Sequence, residues 1–120
     1  MASSFTIANA AAANKTYTPG ISSPSAQEYV SGDSTAQVPV KATSKHTFGI
    51  PKGKVDKHLV QFTISRPDAT SGEYGTVTMN VTVVIPPKGV TSTDIDDIVA
   101  FGKNFLSNST YVAQLKSGVI

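Results

Sequence analysis

An α+β fold, with strands first and helices last, is what this 120-residue chain predicts, on three observations. The segments His58 to Arg66 and Thr76 to Pro86 alternate polar and apolar side chains with the period of two that a strand with one buried face requires. Helical spacing emerges only after Pro86-Pro87, where Ile95, Ile98, Val99, Gly102, Phe105 and Leu106 fall on one stripe. Segments rich in Ser, Gly, Pro and Asp separate the periodic stretches. The length suits one domain with one core, 1–120, divided into a hairpin at 1–18, an antiparallel sheet at 27–86 and two helices at 93–117.

Phe5-Thr6-Ile7 and Lys15-Thr16-Tyr17-Thr18 alternate and predict an N-terminal hairpin that Pro19-Gly20 ends. Loops at 19–27 and 31–36 flank a short strand around Glu28-Tyr29-Val30. From Val38 to His46, Val38, Val40 and Ala42 share one face while Pro39, Lys41, Thr43 and Lys45 share the other. Pro39 has no amide to donate, so it marks a strand start or an edge. Gly49-Ile50-Pro51-Lys52-Gly53-Lys54 predicts a turn; it lacks the spacing and terminal Ser or Thr of a phosphate loop. In the next strand Val60, Phe62 and Ile64 point inward and Leu59, Gln61, Thr63 and Ser65 outward. Residues 67–75 form a flexible hairpin loop before the last strand, which turns Val77, Met79, Val81 and Val83 inward and Thr76, Thr78, Asn80 and Thr82 outward. Thr93 with Asp96 three residues on predicts the helix start as a capping box, and Asp94, Asp96 and Asp97 complement the positive end of the helix dipole. A second helix, Thr110 to Lys116, ends at Ser117-Gly118.

Three neighbouring strands therefore share an outward face that is rich in uncharged hydrogen-bonding groups, where an ordinary solvated strand mixes in Lys and Glu. Charged residues are only 15% of the chain against 39% hydrophobic, which favours a surface partly covered by other copies. The net charge of +2 is too small to announce a polyanion partner, but Lys41, Lys45, Lys52, Lys54, Lys57 and Arg66 face the single acid Asp56 within the middle of the chain. Absence of cysteine removes disulfides, thiolate metal sites and cysteine nucleophiles. The N-terminus has no basic segment and apolar core of an export signal, and no stretch approaches about 20 apolar residues, so a soluble protein used without export is expected.

No catalytic constellation is apparent. His46 and His58 lie at predicted strand ends, outside any nucleophile elbow or zinc-ligand spacing, and the acids beyond the helix start are isolated. No enzyme activity, cofactor, metal site, membrane or small-molecule substrate is expected.

The order of elements resembles the coat protein of single-stranded RNA bacteriophages. The resemblance rests on His58-Leu-Val-Gln-Phe-Thr-Ile-Ser-Arg-Pro67, a loop of small residues, Thr76-Val-Thr-Met-Asn-Val-Thr-Val-Val-Ile-Pro86, and the helix from Thr93 to Ser107. It implies an intertwined homodimer in which an antiparallel five-stranded sheet from each subunit joins into a continuous ten-stranded sheet, the hairpin lying outside it. Each subunit's helices would cross onto the partner, with Ile95, Ile98, Val99, Phe105 and Leu106 in the dimer interface. It implies further an icosahedral virion assembled in a bacterial cytoplasm. The inner sheet face would bind genomic RNA and a hairpin that represses translation. By that likeness Lys41, Thr43 and Lys45 are assigned to RNA contact, and Gln61, Thr63, Thr78, Asn80 and Thr82 continue the platform. Familiar members place a base-stacking aromatic on the RNA face of the last long strand, where this chain offers Thr and Asn. Some carry cysteines in the loop matching 67–75, which this chain lacks. A pilus-like polymer subunit and a monomeric nucleic-acid-binding domain are the alternative classes; the first lacks an export segment, the second the expected surface aromatics among basic residues.

Overall fold

A computed structural model describes residues 3–48 and 55–119, so the turn expected at Gly49 to Lys54 lies outside the described residues. The chain forms two compact units, Met1–Ile85 and Pro86–Ile120.

The first unit is one antiparallel meander of six strands in sequence order: β1 (Phe5–Ala8), β2 (Asn14–Ser22), β3 (Ala26–Ser31), β4 (Val40–Thr47), β5 (Asp56–Pro67) and β6 (Tyr74–Ile85). The hairpin expected to stand apart from a five-stranded sheet is instead its continuation, because β2 pairs with β3 through Tyr17↔Ser31, Thr18↔Val30 and Pro19↔Tyr29. Pro19-Gly20 does not end β2 as expected. The ladder shifts register between Pro19 and Ser22, an irregularity that lets a strand carry a residue without an amide proton.

Aromatic packing explains why the hairpin joins. Phe5 stacks on Tyr17 at 5.0 Å and meets Tyr29 edge-on at 4.9 Å, while Tyr17 meets Phe62 edge-on at 6.1 Å. Strands β2 and β5 are three positions apart, about 14 Å in a flat sheet, so the sheet curls to bring these rings together. Ala42 lies between Tyr29 and Phe62 in the ladder and is 1% exposed. Tyr17 is 8% exposed, and burial pushes its phenol pKa above the ordinary tyrosine value, with the negative charge of Asp33 adding to the effect.

The second unit holds α1 (Ser92–Leu106) and α2 (Ser109–Ser117). The capping box is built one half-turn earlier than expected. Thr91 Oγ1 accepts from Asp94 N at 3.2 Å, and Thr91 N donates to Asp94 Oδ2 at 3.1 Å. Thr91-x-x-Asp94 and Thr93-x-x-Asp96 satisfy the same pattern, and the earlier pair makes the helix longer. Asn108 caps α2 by accepting from Thr110 N at 3.0 Å and Tyr111 N at 3.2 Å, and Gly118 ends it in the left-handed region at φ 75°. Phe105 and Tyr111 stack at 5.6 Å across the helix junction.

Candidate nucleic-acid interface

Strand register decides which side chains share a face, and three cross-strand rows contain every residue assigned to RNA contact. They are Lys41–Thr63–Thr78, Thr43–Gln61–Asn80 and Lys45–Leu59–Thr82. These make a three-by-three grid across β4, β5 and β6, in which Leu59 is the apolar member. Gln61 Nε2 donates to Asn80 Oδ1 at 2.9 Å, fixing the central row, and the hydroxyls of Ser65 and Thr76 meet at 2.8 Å at one margin. Such pairs hold donors and acceptors in place on a rigid surface.

Three further charged or aromatic residues belong to this face, as their place in the ladder reveals. Glu28 pairs with Thr43 in the β3–β4 ladder, and its Oε1 lies 3.7 Å from Lys41 Nζ. Lys57 lies opposite Thr47 and extends the basic groups one row beyond Lys45. Because β6 begins at Tyr74, that tyrosine has the same parity as Thr76, Thr78 and Asn80, and it is 56% exposed. The face therefore does carry an aromatic on its last strand, at the strand's start and not among the Thr and Asn positions.

Asp68 organises the turn between β5 and β6, which is shorter than the loop expected at 67–75. Its Oδ2 accepts from Ser71 N at 2.8 Å and Thr70 N at 3.1 Å, and its backbone N donates to Glu73 O at 2.7 Å. Hydrogen bonds from Ser71, then from Thr70, hold the Asp68 carboxyl below its ordinary pKa. Gly72, at φ 75°, donates to Asp68 O at 2.9 Å.

The opposite face of the sheet is apolar. Val60, Phe62 and Ile64 on β5 lie beside Val81, Met79 and Val77 on β6, as the alternation predicted. Val77, Met79 and Val81 are 66%, 43% and 42% exposed. On α1, Ile98, Val99 and Leu106 are exposed, while Ile95 and Phe105 are half-buried. His46 and His58, both expected at strand ends, are ladder partners at the end of this face. Among the described residues, no group of three or more His, Cys, Asp or Glu could hold a metal, and no helix is long and apolar enough to cross a membrane.

No protein-family model and no curated protein sequence matches this chain. Solved structures do. The virus-like particle of Beihai levi-like virus 21 aligns with a TM-score of 0.78 at 11% identity, over 98% of this chain and 95% of that one. The virus-like particle of bacteriophage GQ-907 gives 0.76 at 19% identity, over 90% and 85%. The capsid protein of bacteriophage GA gives 0.63 at 12% identity, over 97% and 94%. A meander of strands followed by two helices, matched over nearly its whole length, gives this chain the fold of levi-like bacteriophage coat proteins.

Proposed function

We propose that this chain is the coat subunit of an icosahedral virion that packages single-stranded RNA, assembled in the cytoplasm of a bacterial host. The observation that carries the reading is the in-register polar grid on β4–β6, set on a fold shared with proteins of virus-like particles. Lys41, Lys45 and Lys57 supply attraction to phosphate. Thr43, Gln61, Thr63, Thr78, Asn80 and Thr82 offer hydrogen bonds to bases and riboses, and Tyr74 offers a ring for stacking. An RNA hairpin seated on this grid would make the subunit a translational repressor as well.

Assembly begins from a homodimer. Strand β6 is last in the sheet order, is 12 residues long, and has neither a charged residue nor a proline between Tyr74 and Ile85. Exposed edges are ordinarily blunted by such residues, so this one is suited to pairing with β6 of a second copy, which joins two sheets into one. The partner's helices, through Ile95, Ile98, Val99, Phe105 and Leu106, then cover the apolar face at Val77, Met79 and Val81. Fully burying one such side chain is worth about 1.5–3 kcal/mol, so several together support a stable pair.

Density-gradient sedimentation and electron microscopy of the chain expressed alone test the proposal. Closed particles containing nuclease-protected RNA are expected. Filaments would instead assign it to a polymer such as a pilus, and small soluble species would refute the shell. Replacing Lys41 and Lys45 with Ala is expected to weaken binding to all RNAs and to reduce the salt slope by about one unit for each phosphate that is no longer neutralised.

A further inference from the structure

We propose that His46 and His58 form a chelating site for a divalent late transition ion, with Cu2+ and Ni2+ preferred to Zn2+. Their Nδ1 atoms lie 2.8 Å apart, with ring centroids 5.0 Å apart and planes inclined at 56°. Two imidazole nitrogens that close must share a proton in the neutral pair: one Nδ1 donates and the other accepts. Two nitrogen donors therefore already point into one small space from adjacent, paired strands.

Replacing that proton with a metal keeps the nitrogen separation nearly unchanged, the two imidazole rings turning so that their Nδ1 lone pairs converge on an ion beside the line that joins them. At a metal–nitrogen distance of about 2.05 Å, two nitrogens subtending about 90° are separated by about 2.9 Å, and two at the tetrahedral angle by about 3.3 Å. The observed 2.8 Å lies closest to the right-angled arrangement of square-planar or octahedral ions. Imidazole also suits late transition ions, whereas Mg2+ and Ca2+ take oxygen ligands. Proton balance is simple. The histidine that donates through Nδ1 moves its proton to Nε2, both Nδ1 lone pairs become free, and no net proton is released. Water completes the coordination shell.

The strand ladder makes the two ligands act together. His46 and His58 are directly opposed between Lys45↔Leu59 and Thr47↔Lys57, so the backbone fixes their spacing. Phe48 stacks on His46 at 6.5 Å and meets His58 edge-on at 5.8 Å, limiting the rings' orientations from one side. This site lies on the apolar face, away from the polar grid, and does not depend on RNA binding.

Untagged protein, in the assembly state in which it is isolated, is titrated calorimetrically with Ni2+ and with Cu2+ at pH 7.5. One ion per chain is expected, with no response to Mg2+ and at least tenfold weaker binding in both His46→Gln and His58→Gln. Unchanged affinity in either variant, or loss of only part of the stoichiometry, would overturn the chelate. Pulsed electron paramagnetic resonance on the unaltered protein with Cu2+ is independent of how the variants fold. Two equivalent coordinated imidazoles are expected, and one imidazole refutes the proposal.

Discussion

Glu28 places a negative charge on the face proposed to meet RNA, and neutralising it as Glu28→Gln is expected to strengthen RNA binding. Its carboxylate lies 3.7 Å from the Lys41 ammonium, a separation at which two unit charges in water attract by about 1 kcal/mol. The side chains are 28% and 42% exposed, so solvent screening and side-chain entropy reduce the pair to about 0.2–1 kcal/mol. A phosphate that engages Lys41 must give up part of that attraction and also approach Glu28. Removing the acid is therefore expected to tighten binding by about 1.4- to fivefold at low salt. The gain shrinks above about 0.1 M salt, where the screening length is near 10 Å. Fluorescence anisotropy with a labelled hairpin and a scrambled strand measures both. In a Lys41→Ala background, Glu28→Gln relieves only direct repulsion of phosphate, so the gain becomes smaller. Equal or weaker RNA binding by Glu28→Gln at every salt concentration would refute the assignment of this face.

Other expected outcomes follow from the same geometry. Tyr74→Ala is expected to cost about 1–3 kcal/mol of affinity for a hairpin with an unpaired base and little for a fully paired one, read by the same anisotropy measurement. Met79→Lys with Val81→Lys places charges on the exposed apolar face and is expected to abolish dimers in analytical ultracentrifugation while far-UV circular dichroism is retained. Asp68→Ala removes the acceptor that orders the β5–β6 turn and is expected to change the particle size distribution while leaving dimers intact. Since the Asp68 pKa is depressed on folding, its contribution to stability is present above the ordinary carboxylate value and lost as pH falls through the lower folded value; thermal melts in acid of Asp68→Ala and its parent check this. Tyr17 works in the opposite direction: its raised pKa makes a contribution that is present below about pH 10 and lost as pH rises through the folded value. One of the 4 tyrosines should therefore ionise late at 295 nm, and that late phase should vanish in Tyr17→Phe.

Side-chain parity made the two faces of β4, β5 and β6 legible in the sequence. Alternation in Thr78-Met79-Asn80-Val81-Thr82 survives any small error in strand length. Relations that depend on pairing register were hidden. Glu28 belongs to the polar face because it pairs opposite Thr43, and His46 meets His58 because the two are directly opposed. Neither relation leaves a local pattern. Tyr74 lies two residues before Thr76, where the alternation becomes regular, and Thr91 competes with a second capping pattern two residues on. The hairpin's place in the sheet turns on ring packing of Phe5 and Tyr17 with residues on distant strands, which periodicity does not encode.

The uncharged edge of β6 also bears on the kinetics of production in the cell. Until it is paired, a newly made chain exposes 12 residues of β-prone, charge-free backbone, which any other open edge can template. The pairing with a second copy proposed above and misassembly would then compete for the same surface, so that yield depends on how long the edge stays open. Rapid synthesis in a crowded locality shortens the search for a copy but also supplies incomplete chains as wrong partners. Expression temperature and translation rate thus act directly on β6, and slower synthesis should raise the recovered fraction without any change in the stability of the finished protein.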